Sequence, residues 1–210
     1  MNKSNRKKLV KDERKKMPKT EKKVSKLPLF VKDDSIEADC TIDPVVFMWL
    51  IATQHAEGKK ELAGYFYIDA DRDITWATIG DVGSAGNVDY SGESWSDSIA
   101  ECEEATSSVP NGQIHSHPGL SCFWSSKDDT DQKEFCDMIA EIVKDEYEYN
   151  FVVYDAFGRS FLVRRIIGKG NIVRYNDGKV YAFGIPITAP SNAVVSSYNM
   201  QPNTSVVKTT

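Results

Sequence analysis

Two of the three histidines in this chain stand two residues apart, in His115-Ser116-His117-Pro118. Side chains on a β-strand alternate between faces, so His115 and His117 point the same way, as two imidazoles must to share one metal ion. Pro118-Gly119 then turns the chain, and six residues (119–124) separate Pro118 from Ser125-Ser126-Lys127-Asp128, which opens a helix of strong apolar periodicity. From there Asp128 can swing its carboxylate back toward the imidazoles as a third ligand. Two His and one carboxylate suit Zn²⁺ and leave the fourth tetrahedral position for water. Imidazole ligands disfavour a hard-oxygen site for Mg²⁺ or Ca²⁺.

Each piece also has a plainer reading. Ser-x-x-Asp before a helix is a start of the capping-box kind, worth about 1 kcal/mol to the helix. A His-x-His strand can be two hydrogen-bonded side chains. Those readings require no fixed spacing between the pieces, whereas a shared metal does. A zinc-bound nucleobase deaminase needs H-x-E followed by P-C-x-x-C; His55-Ala56-Glu57 supplies the first half, but no cysteine pair follows at that spacing. Cys122, between His117 and Asp128, is an alternative as an extra metal ligand, although Asp128 already completes the set.

The run His115-x-His117-Pro118, six residues, Ser125-x-x-Asp128 resembles the JAMM (MPN+) metalloprotease signature. That family also carries a glutamate at the start of an upstream strand, and Glu61 of Glu61-Leu62-Ala63-Gly64 is the match, with Glu57 as competitor at a helix end. The Asn111-Gly112-Gln113-Ile114 lead-in is similar to the family's as well, and the likeness covers roughly residues 42–165. It implies an α/β fold with a central β-sheet flanked by helices, an architecture also like that of cytidine deaminases. It implies a zinc hydrolase of peptide or isopeptide bonds, with His115, His117 and Asp128 holding Zn²⁺ and the water pKa lowered to about 7. Glu61 would be general base and then proton donor, and Ser125 a donor to the oxyanion. The implied substrate is a protein, such as the tail of a ubiquitin-like fold. No long insertion separates Asp128 from the closing hairpin, which points to a minimal, prokaryote- or virus-like member. The alternatives are a RadC-type relative linked to DNA and a non-catalytic MPN scaffold.

The elements that must position these residues are legible in outline. Asp43-Pro44 is an N-cap and first-turn pair for the helix VVFMWLIATQHA. Glu61–Ile68 and Asp73–Ile79 read as strands joined by a polar turn, and Gly80–Glu93 reads as a loop that could wall a substrate groove, with Trp95 after it. Trp95–Ser107 reads as a helix, Gln113–His117 as a strand and Ser126–Tyr147 as a helix with Phe135, Met138, Ile139 and Ile142 on one face. A hairpin about Phe157-Gly158 and two short strands, Asn171–Tyr175 and Lys179–Phe183, complete the reading.

The charge is unevenly spread. Residues 1–29 carry twelve Lys/Arg against three Asp/Glu, a net of +9, which leaves −14 on the rest of a chain whose total is −5. Residues 1–30 therefore read as a basic flexible arm, 31–185 as the metalloprotease-like domain, and 186–210, rich in Ser, Thr, Asn and Pro, as a flexible tail. The acidic balance of the domain argues against nucleic acid; the basic arm is the one feature that would contact it. No apolar run approaches the eighteen or so residues of a membrane-spanning helix. The four cysteines show no C-x-x-C pair and read as reduced thiols of a cytoplasmic protein.

Overall fold

The computed structural model describes residues 28–157 and 159–188. The basic arm up to residue 27 and the tail from residue 189 lie outside the described residues. In chain order the elements are β1 (Leu29–Lys32), β2 (Cys40–Ile42), α1 (Pro44–Glu57), β3 (Leu62–Ile68), β4 (Asp73–Val82), α2 (Gly92–Thr106), β5 (Gly112–Ser116), α3 (Ser126–Ile142), β6 (Tyr147–Asp155), β7 (Ser160–Lys169), β8 (Ile172–Ala182) and β9 (Ile185–Pro186). The fold is mixed α/β: among the described residues, one mixed sheet of nine strands with three helices.

The strand order is β1-β8-β2-β4-β3-β5-β6-β7, with β9 on β8, and a further pairing of β7 with β8 closes the order into a ring. The central strands are buried on both faces and so read as near-continuous buried runs. In β3, six of the seven residues are buried, and β6 is buried from Tyr149 to Asp155. The main core includes Leu50 of α1 with Phe66, Ile74, Ile114, Val152, Phe161, Val163 and Val180 of the sheet, and Phe161 stacks on Tyr154 at 5.2 Å. A smaller cluster of Cys136, Tyr149, Phe151, Ile166 and Val173 lies beneath α3.

Local chemistry sets the helix starts. The Asp43 carboxylate accepts the N–H groups of Val45 and Val46 at 2.7 and 3.3 Å, with Pro44 in the first turn. Ser91 caps α2 through Ser94 N–H at 3.1 Å. Next to the site, β3 and β4 approach so closely at Gly64 that a Cβ there would lie 1.8 Å from Thr78 O, and the register shifts between Ala63 and Gly64.

Several boundaries differ from the sequence reading. The second helix begins at Gly92, within the stretch read as loop, where Ser91 caps it. β4 continues through Gly80 to Val82 because Leu62 and Ala63 pair with Val82 and Asp81. The third helix stops at Ile142 rather than Tyr147, since Tyr147 already pairs with Gly168 in the sheet. The last two short strands are one, β8, paired with β7 along its length.

Candidate metal centre

β5 and its continuation present the two imidazoles. His115 is the fourth residue of β5, and His117 follows its end, held extended by its N–H bond to Tyr154 O at 2.8 Å. The alternation predicted from sequence holds: the two Nε2 atoms lie 3.2 Å apart, while Ser116 between them accepts Leu62 N–H at 2.9 Å. Gly119 then reverses the chain with φ of +80°, a conformation that disfavours any side chain. The loop that follows is pinned to the β6–β7 turn: Gly119 N–H donates to Asp155 Oδ1 at 3.1 Å and the Cys122 thiol to Ser160 O at 2.9 Å.

The helix start does two jobs at once. Ser125 Oγ accepts Asp128 N–H at 3.1 Å while Asp128 Oδ2 accepts Ser125 N–H at 2.7 Å, a complete capping box. The same carboxylate reaches back to the histidines, with Oδ1 at 3.1 Å from His115 Nε2 and Oδ2 at 3.7 Å from His117 Nε2. The capping and ligand readings of Ser-x-x-Asp are therefore compatible. Burial alone would raise the Asp128 carboxyl, but the His115 hydrogen bond and charge, with both Ser125 bonds, hold it down at about 2. Burial, with His115 alongside, lowers His117 below the ordinary imidazole value and keeps its ring neutral near neutrality.

His115, His117 and Asp128 form a group that can hold a metal ion, their donor atoms all within 4.8 Å of one another. Bonds of about 2.0–2.1 Å in a tetrahedron place neighbouring donors about 3.3 Å apart. His115 Nε2 lies 3.2 Å from His117 Nε2 and 3.1 Å from Asp128 Oδ1, and His117 Nε2 lies 3.7 Å from the other carboxylate oxygen, Oδ2. Three lone-pair-bearing groups packed this tightly repel one another unless a proton or cation sits among them. The donor set thus fits a small divalent ion. Cys122 does not join it: its S–H is spent on Ser160, and burial pushes the thiol up to about 12.

Glu61 stands one residue before β3. Its N–H donates to Ser84 O and its carbonyl accepts Gly83 N–H, both at 2.8 Å, and the turn leading to it is held by Gln54 Nε2, which donates to Gly58 O and Lys60 O at 2.8 and 2.9 Å. The Glu61 residue is 9% exposed and lines the same cavity, of about 220 Å³, as His115, His117, Ser125 and Asp128. Burial raises its carboxyl above the ordinary value, with His115 opposing and Asp128 reinforcing. Glu57, the competitor, instead pairs with Lys60 at 2.9 Å, and His55 lies exposed with its ring edge on Phe157.

Gly86, Asn87, Val88 and Tyr90 of the Gly/Ser-rich loop wall the cavity, while Trp95 packs against Tyr65 at 4.9 Å. Leu120 and Phe123 form an exposed apolar lip, the Phe123 ring 5.2 Å from His117. Among the described residues no helix is long and apolar enough to cross a membrane. Sequence reasoning missed Gln54, which supports the turn before Glu61 from four and six residues away, and Ser116, Gln132 and Arg164, whose bonds to β3 or between β7 and α3 span 32 to 54 residues. No local motif announces them.

Comparison with protein-family models and with curated proteins gives no match. Among solved structures, the chain is similar to the solution structure of protein DSY2949 from Desulfitobacterium hafniense, at 14% identity and a TM-score of 0.40, over 68% of this chain and 92% of that one.

Proposed function

We propose that this chain is a JAMM-type zinc metallopeptidase that hydrolyses a peptide or isopeptide bond in a protein substrate. The observation that carries the reading is the convergence of Glu61, Ser125, His115, His117 and Asp128 on one cavity, the five positions that the sequence resemblance names.

His115 Nε2, His117 Nε2 and the Asp128 carboxylate would hold the ion. When bound, zinc supplies Lewis acidity there, polarising a carbonyl and acidifying water. Glu61 takes the proton of the attacking water on its carboxylate and passes it to the leaving nitrogen as the C–N bond breaks. A carboxyl raised by burial suits both halves of that transfer, since its two forms lie closer in energy near neutral pH. Ser125 Oγ uses its lone pairs on Asp128 N–H, so its O–H remains to donate to the oxygen that gains charge. A cavity of about 220 Å³ walled by a loop on one side and an apolar lip on the other suits an extended tail, such as the C-terminus of a ubiquitin-like protein, rather than a folded surface.

The test compares wild type with Glu61→Gln, each incubated in lysate of the source cell, with new protein termini counted by mass spectrometry. Termini made by wild type and missing with Glu61→Gln support the reading. Identical profiles overturn it.

A further inference from the structure

We infer that Arg164, remote in sequence from every residue of the metal group, is the positioning residue that sets where Asp128 and Ser125 stand. This rests on the metallopeptidase reading above. Arg164 lies on β7 and is 6% exposed, so its charge is almost wholly withdrawn from water. Such a cation is stable only if its donors are largely matched, and four of its five N–H groups are. Nε and Nη2 donate to the two oxygens of Asp177 on β8 at 2.7 and 3.2 Å. Nη1 donates to Asp129 Oδ1 at 2.7 Å and to Gln132 Oε1 at 2.9 Å, both on α3. The guanidinium also lies against the Trp124 and Tyr175 rings, each centroid 4.7 Å away.

These contacts bracket the site. Trp124 immediately precedes the cap Ser125 and its ring is 6.4 Å from His115, while Asp129 immediately follows Asp128. Arg164 thus grips the chain on both sides of the cap and ligand and ties it to the β7–β8 pair. Of the seventeen residues of α3, Gln132 and Cys136 are buried and Phe135 packs on Tyr149 and Phe151; Gln132 is one of the two α3 residues that Arg164 binds. The aromatic contacts hold the helix against the sheet, and at its first turns a planar fork with fixed donor directions, which lysine cannot reproduce, fixes its position. Groups that orient metal ligands from behind typically cost 10–100-fold in affinity when removed.

The clamp has two ends, and they give separable variants. Gln132→Leu removes an acceptor on the α3 end without changing charge near the metal. Arg164→Lys keeps the charge but loses the fork. Asp177→Asn loosens only the β8 end. Each is titrated with Co²⁺, following the d–d absorption of the bound ion, and melted in the metal-free form. Arg164→Lys and Gln132→Leu should bind Co²⁺ about 10–100-fold more weakly with altered bands, while Asp177→Asn melts lower yet binds with wild-type affinity and bands. Unchanged Co²⁺ binding in all three overturns the inference, as does an affinity that falls in step with melting temperature across all three, since that is a structural role. A wild type with no tetrahedral Co²⁺ bands overturns the metal reading itself.

Discussion

Ser116 Oγ accepts the backbone N–H of Leu62 at 2.9 Å, buried between the strand that follows Glu61 and the strand that carries the histidines. Ala63 is registered with His115, so one residue further on the hydroxyl takes the place of a strand carbonyl. The bond fixes Leu62, hence the neighbouring Glu61, relative to both imidazoles. Ser116→Ala leaves that N–H buried and unpaired, a loss of about 1–3 kcal/mol. Urea unfolding of the two proteins should show a lower midpoint with unchanged m; equal midpoints would show that the backbone relaxes to pair Leu62 elsewhere.

Burial of the Glu61 carboxyl costs stability at neutral pH. Its carboxyl is raised by burial, so the folded protein holds the proton more tightly than the unfolded chain does. Stability from this group is therefore present below the unfolded carboxylate value and lost as pH rises through the folded one. In the metal-free protein, Glu61→Gln should be more stable than wild type near neutrality, and the gap should vanish in acid. Melting both proteins across that range measures it, and a wild type that stays the more stable at neutral pH contradicts the burial of the charge.

What the sequence disclosed is local. His115-x-His117 and Ser125-x-x-Asp128 each lie within one element and its cap, so spacing alone predicts which side chains share a face. What it concealed is long-range. β8 reads as two strands because Asn176-Asp177-Gly178 resembles a turn. In the fold Asn176 donates to Ile36 O at 2.8 Å, Asp177 meets Arg164, and Gly178 lies so close to Ala38 that a Cβ would approach to 2.5 Å. Partners 13 to 140 residues away straighten this stretch. β1 and β2 were missed for a related reason: four and three residues are too short for a period, and β8 supplies their pairing. Arg164 carries no local signal either, since an arginine in a strand ordinarily reads as its solvent face.

Ser125 separates capping from catalysis. Ser125→Ala loses the acceptor for Asp128 N–H, costing about 1 kcal/mol of stability. The reciprocal bond, from Ser125 N–H to Asp128 Oδ2 at 2.7 Å, uses the backbone and survives. Asp128 therefore keeps its orientation and zinc should be retained, while under the proposed mechanism, in which the Ser125 hydroxyl is the oxyanion donor, turnover should fall about 10²–10³-fold. Ser125→Thr should restore both stability and much of the rate. Zinc content by elemental analysis beside activity decides it, and loss of zinc from the alanine variant would make the hydroxyl a support of the ligand instead.

Metal removal should show the coupling between the site and the fold. The group joins β5, on which His115 stands, to the first turn of α3, two elements that the chain links through the loop between them. An ion bound only by the folded form stabilises it by RT ln(1 + [L]/Kd), about 2.7 kcal/mol at a hundredfold excess over Kd. Chelation should lower the melting temperature and zinc should restore it, while Asp128→Asn should bind zinc weakly and melt almost independently of it. The gain should persist through neutrality and fade in acid, because protons compete for the ligands. Asp128, held at about 2, stays ionised through that fading, and His117, lowered by burial, resists protonation until below the ordinary imidazole value. Calorimetric melts with zinc and with chelator, repeated over descending pH, give the curve. A melting temperature indifferent to zinc at neutral pH would show that the three ligands hold no ion there.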